Sequence, residues 1–143
     1  MLFLMLFVGS ALLFSCKKDS PTTTTATDAR DKFVGTWSGN QTVVIPDLSI
    51  NSTDLVSELI TKSSSSQNQI IIDGTQTANV NSNSYTYNQF TEVINDPNVG
   101  DIVLIINGTG TVNGSNIIES GVLYTIVQGV TYNGTWSSNL VKQ

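Results

Sequence analysis

From residue 33 onward the chain alternates apolar and polar positions with a period of two, broken at short intervals by turn-forming residues. Phe33, Gly35, Trp37 and Gly39 fall on one face of the first segment, and Val34, Thr36 and Ser38 on the other, so Trp37 points to the inside. Gln41 to Ile45 extends this strand, and Pro46-Asp47 ends it. Residues 55–62 allow two readings. Asp54 can cap a short helix with Leu55, Leu59 and Ile60 on one face. Alternatively, the segment is a strand pairing with 69–72 across the polar turn Ser63 to Asn68, which Val56, Ile60 and Thr61 favour. Ile70-Ile71-Ile72 then meets the turn signal Asp73-Gly74. Strands over 75–80 and 85–93 follow, separated by Asn81-Ser82-Asn83-Ser84, and Asp96-Pro97-Asn98 closes that pair.

The last third is the clearest. A strand over 101–112 leads to Asn113-Gly114, a type I′ hairpin signal because both residues tolerate positive φ. On that strand Leu104, Ile106 and Val112 share a face that Gly108 and Gly110 continue, a place for a bulge or a closely packed ring. In the next strand Ile118, Val122, Tyr124 and Ile126 lie on one face and Ile117, Leu123 and Val127 on the other, which predicts burial on both sides at one end. Gln128-Gly129 makes the final turn. Gly-Thr-Trp-Ser occurs at 35–38 and again at 134–137. Nothing between the copies shares their period, so the predicted relation is closure, with first and last strands adjacent and Trp37 and Trp136 at matching depth. Seven to nine short strands at roughly 8–14-residue spacing predict an all-β domain, a small antiparallel up-and-down barrel of about eight strands, with a β-sandwich as the alternative.

The N-terminus differs in kind. Leu2 to Phe14 is an apolar run broken only by Gly9 and Ser10. As a helix it would span ~20 Å, too short for a ~30 Å hydrocarbon core, and it reads as the hydrophobic region of an export signal. Its end, Leu13-Phe14-Ser15-Cys16, resembles the lipobox of bacterial lipoproteins, although the usual basic residues before the apolar run are missing. The resemblance implies cleavage after Ser15, a diacylglycerol thioether on Cys16 and acylation of the freed amine with a fatty acid such as palmitate. That would be a firm membrane anchor, expected on the outer membrane at its periplasmic or surface face. Residues 16–31, with Lys17-Lys18-Asp19 and a run of threonines, lack apolar periodicity and read as a disordered tether. The expected organisation is signal peptide 1–15, tether 16–31 and barrel domain 32–143.

Composition removes several functions. The chain has no histidine, and its one cysteine is Cys16, so the domain holds no Ser–His or Cys–His dyad, imidazole-bound metal, disulfide or thiol nucleophile. From residue 33 the basic residues are Lys62 and Lys142, against eight carboxylates, a balance of about −6 that argues against a nucleic-acid partner and against lying on an anionic membrane. Asp96, Asn98 and Asp101 make an oxygen-rich loop whose spacing matches no EF-hand and suits turn formation. Glu92 with Asp96 lacks any device that would place two carboxyls across a glycosidic bond. The glycosylation sequons at Asn51, Asn107 and Asn133 read as turn chemistry. No cofactor, metal or catalytic residue is expected.

Gly35-Thr36-Trp37 resembles the Gly-x-Trp of lipocalins and related barrels. Together with the lipobox, the Thr-rich leash and the terminal Gly-Thr-Trp-Ser before a lysine, the layout resembles small lipocalin-like lipoproteins of Gram-negative bacteria. The resemblance implies that Trp37, with Trp136, is a structural plug of the barrel. Residues 32–143 contain no arginine to cover Trp37, a place Lys142 can take. Tyr85, Tyr87, Phe90 and Tyr124 are the candidates for lining an apolar pocket, against plain core filling. The expected function is non-enzymatic binding of a small apolar or amphipathic ligand by a membrane-anchored barrel. The alternative is a protein-interaction or structural module of the envelope with an unspecified partner.

Overall fold

The computed structural model describes residues 27–96 and 100–143, so the expected export signal, Cys16 and most of the expected tether lie outside the described residues. Nine strands follow one another: β1 (Gly35–Ile45), β2 (Ile50–Lys62), β3 (Gln69–Ile72), β4 (Gln76–Asn81), β5 (Ser84–Tyr87), β6 (Phe90–Asp96), β7 (Gly100–Asn113), β8 (Asn116–Val127) and β9 (Val130–Lys142). All pairings are antiparallel, and each strand from β1 to β4 pairs with the next. Both β5 and β6 pair with β7: Thr86 faces Thr109 while Phe90 faces Ile106, so three residues oppose two and a bulge lies at 87–89. Counting β5 and β6 as one bulged strand, the ladder runs through β7, β8 and β9 and closes on β1, where Trp37 faces Lys142 and Val44 faces Thr135. The result is an up-and-down barrel of eight staves. A single ring of hydrogen bonds replaces the two sheets of a sandwich.

The interior follows from the alternation. Phe33, Trp37, Ile45, Ile60, Ile72, Tyr85, Leu104, Ile117, Leu123 and Leu140 are buried. Residues 55–62 are strand: Ile60 is buried while Leu55 and Leu59, the face of the helical alternative, are exposed. In β8 the odd-numbered face, Ile117, Glu119, Leu123 and Thr125, points inward, whereas Ile118, Val122 and Ile126 are exposed and Tyr124 is half-buried. The expected two-sided burial of that strand does not occur, because a single-layer barrel covers only one face of each stave.

Two expected details shift. Asn113 pairs with Asn116, so the turn is Gly114-Ser115, and of these only Gly114 (φ 62°) has positive φ. A glycine leading the two-residue loop suits a type II′ rather than a type I′ turn. The two indoles stand at different depths, since Trp37 faces Lys142 but Trp136 faces Val43. The barrel is also anchored four residues before the expected boundary at 32. Asp28 pairs with Arg30 (2.7 Å) and Lys62 (3.0 Å), and Arg30 Nη1 donates to the carbonyls of Ser63 (3.1 Å) and Ser66 (2.8 Å).

The staves are unequal. β3 has four residues and pairs with β2 only at Ile60–Lys62. Asp73, at the β3–β4 turn, ends that ladder: its N–H donates to the Leu59 carbonyl (3.0 Å) and its Oδ1 accepts from the Leu59 N–H (2.7 Å). Among the described residues, β2 beyond it has no strand on that side, and β6 pairs only with β7. The wall is therefore open between β2 and β6.

Candidate functional site

That gap leads into a recess of about 230 Å³, partly open to solvent. Its lining comes from β1 (Gln41, Val43), β2 (Val56, Ser57, Glu58), the β3–β4 region (Asp73, Gln76), β5 and β6 (Tyr87, Phe90, Glu92), Ile106 of β7 and Trp136 of β9. One wall is aromatic, with Tyr87 5.4 Å from Phe90 and 5.6 Å from Trp136, centroid to centroid. Three lining residues are carboxylic acids and none is basic.

The register explains how large rings fit. Trp136 faces Gly121, which in turn faces Gly108, so the indole lies across two strands that present no side chain there. A Cβ on Gly108 would stand 2.5 Å from the Trp136 ring. The indole N–H donates to the Asn107 carbonyl at 3.0 Å. One row further along, Tyr85, Gly110, Glu119 and Ser138 are successive partners across β5, β7, β8 and β9. Because Gly110 is bare, the Tyr85 ring passes over it and its hydroxyl donates to Glu119 Oε1; Tyr87 donates to the same oxygen and Ser138 to Oε2. Glu119 is fully buried, and three hydroxyl donors satisfy it.

Glu58, by contrast, is 8 % exposed, and its Oε2 is buried without a hydrogen-bond partner among the described residues. Burial first, then the neighbouring charges of Glu119 and Asp73, push its carboxyl up to about 9. Two carboxylates offer each other only acceptors, so a proton on Glu58 is what converts their contact into a hydrogen bond. Glu58 is thus neutral at pH 7. Burial also raises the Glu92 carboxyl, which lines the recess from an exposed position on β6. The hydroxyls of Tyr85 and Tyr87 are pushed well above the usual phenol range by burial and then by the Glu119 charge, so both remain donors.

The structure sorts the residues singled out from sequence. Tyr87, Phe90 and Trp136 line the recess; Tyr85 lies behind it, edge-on to Phe33 (5.2 Å) and to Tyr87 (5.4 Å). Tyr124 is on the outer face and takes no part. Trp37 is fully buried, donates its N–H to the Phe33 carbonyl (2.6 Å) and carries the Lys142 ammonium 5.2 Å from its ring centre. Trp136 belongs to the recess wall, away from that plug. Cys16 lies outside the described residues, as does the centre of the 96–101 loop, residues 97–99. Glu58 and Glu119 were not singled out from sequence. Their signal is parity: each occupies an inward position among apolar neighbours, Val56 and Ile60 for one, Ile117 and Leu123 for the other.

No family model matches the sequence, and no curated protein matches it. Among solved structures the chain resembles a protein of unknown function from the DUF3598 family of Nostoc punctiforme, at 10 % identity and a TM-score of 0.43. The likeness covers 78 % of this chain and 48 % of that one, so the chain spans about half the length of that protein.

Proposed function

We propose that this chain is an exported lipoprotein, anchored through acyl chains on Cys16, whose lipocalin-like barrel binds a small amphipathic molecule in the lateral recess without transforming it. The observation that carries this reading is the pre-formed recess, with Tyr87, Phe90 and Trp136 on one side and carboxyl groups on the other. Its volume of about 230 Å³ is below the roughly 300–1,000 Å³ of sites for drug-sized ligands, so the occupant is small and long acyl chains do not fit. The carboxyls serve as a binding floor: Glu119 already accepts three hydroxyl hydrogen bonds and is not poised across a scissile bond from Glu58. A second reading, an interaction module, has the exposed apolar residues Val93, Val103, Ile118, Val122 and Ile126 of β6–β8 in its favour.

Native mass spectrometry of the lipidated full chain, released in mild detergent from its own cells, tests both readings. A retained small molecule supports the first. A retained intact protein with an empty recess supports the second. A Cys16→Ser chain that keeps its acyl mass and membrane fractionation overturns the anchor.

A further inference from the structure

We infer that the recess is built for a small organic ammonium ion, its charged nitrogen docked on Glu58 and its body against Tyr87, Phe90 and Trp136. This inference deepens the ligand-binding reading and rests on it.

Three independent features converge. The first is an unsatisfied acceptor: Glu58 lines the recess, is nine-tenths buried, and its Oε2, closed to solvent in the empty site, has no partner among the described residues. A buried carboxyl oxygen without a donor costs free energy that a ligand N–H recovers once the carboxyl turns toward the recess. Second is the charge of the lining. Asp73 and Glu92 flank Glu58 at the mouth, and no lysine or arginine lines the recess. An anionic ligand would meet only acidic groups, and a neutral one would bring no opposite charge to them. The third feature is the aromatic wall, whose ring faces attract a cation and whose apolar area covers the ligand body. Rings do not coordinate a bare metal ion, and no cluster of three acidic side chains close enough to hold one occurs among the described residues.

Proton bookkeeping follows. Among the described residues the titratable groups around Glu58 are acidic or phenolic: Glu119 on β8, Asp73 at the β3–β4 turn, Glu92 on β6, and Tyr85 and Tyr87 on β5. In the empty site a proton on Glu58 is the donor that reconciles it with Glu119. A ligand ammonium brings three donors of its own, takes that role, and sends the Glu58 proton to solvent. Uptake of one ammonium is thus coupled to release of one proton, and affinity climbs with pH below about 9, approaching about tenfold per unit.

The test is calorimetry on the lipidated full chain in detergent at neutral pH. The probes are benzylamine and benzyl alcohol, which share a ring and differ in charge. Benzylamine is expected to bind at least about tenfold more tightly. Its heat should differ between phosphate and Tris buffers by an amount matching about one released proton. Glu58→Gln should weaken benzylamine about tenfold or more and leave benzyl alcohol unchanged, and Glu92→Gln, at the rim, should weaken benzylamine a few-fold. Should the Glu58 variant fail to unfold cooperatively, the rim variant and the buffer dependence of the unaltered chain decide the matter. Equal binding of both probes, or binding without proton release, overturns the ammonium inference while leaving a ligand site intact. Binding of neither probe overturns it too, and the native mass spectrum then decides the ligand reading separately.

Discussion

A carboxyl group inside an apolar barrel has to be satisfied or neutralised, and this molecule does both within one cluster. Glu119 keeps three hydroxyl donors, whereas Glu58, whose Oε2 has no partner among the described residues, keeps a proton. The sign of the resulting pH dependence is fixed. In the unfolded chain Glu58 titrates near 4.5, and in the barrel near 9, so between those values the folded state holds the extra proton. Stability from this group is complete below the lower value and drains away as pH rises through the upper one. Thermal unfolding of the chain should therefore move to lower temperature between pH 6 and pH 9, and Glu58→Gln, which cannot ionise, should flatten that slope. A variant with the same slope would remove Glu58 as its source. At this scale the sequence is partly legible. The inward positions of Tyr85 and Tyr87 follow from alternation, whereas Phe90 has the opposite parity, and the meeting of Glu58 with Glu119 depends on curvature that brings β2 across from β8, strands not adjacent in the ladder.

Turns and bulges show what alternation can and cannot say about an element. Asp73-Gly74 and Gln128-Gly129 sit where turn chemistry places them, with positive φ at all four residues. Gln128 (φ 52°) lies between Val127 and Val130, which face each other, at the first central position of a two-residue turn. Asparagine tolerates that left-handed backbone better than glutamine. Gln128→Asn is therefore expected to stabilise the barrel by about 0.5–1 kcal/mol, read as a higher urea midpoint with an unchanged slope; a lower midpoint would refute the turn assignment. The Asn113-Gly114 signal was legible as a hairpin but not in its frame, because the β7–β8 ladder continues through Asn113↔Asn116 and moves the loop one residue on. Gly108 and Gly110 were legible as close approaches but not as to what approaches: the rings of Trp136 and Tyr85 come from strands far away in sequence. The bulge at 87–89 left no mark in composition. It re-aims Phe90 and Glu92 toward the mouth, so part of the recess depends on it.

For the whole molecule the governing fact is where the chain starts and ends the ring. The repeated Gly-Thr-Trp-Ser made adjacency of β1 and β9 legible, and the register realises it: β1 and β9 run antiparallel, and the Gln143 N–H donates to the Thr36 carbonyl at 3.0 Å. Lys142 covers Trp37 across the same seam. What the repeat could not reveal is the gap elsewhere in the wall, which arises because β3 and β4 are short and Asp73 stops the β2–β3 ladder. The ring therefore has a seam without a covalent turn and an opening without a partner strand, and only the seam is held by paired backbone. If that pairing is equivalent to a hairpin, the turn that joins any two staves is dispensable. A circular permutant that joins Gln143 to Asp28 through about five Gly/Ser residues and opens the chain between Gln128 and Gly129 tests this, since Gln143 and the opened turn are exposed and the Asp28 ion pairs are kept. The permutant is expected to unfold cooperatively with the near-ultraviolet signature of the parent tryptophans and to keep its benzylamine affinity, because the β2–β6 mouth is untouched. Opening the chain instead at Gly110 would break the row that carries Tyr85, Glu119 and Ser138 and should leave no cooperative transition. A first permutant as disordered as the second would mean that the β8–β9 turn, rather than the β1–β9 seam, holds the cylinder shut.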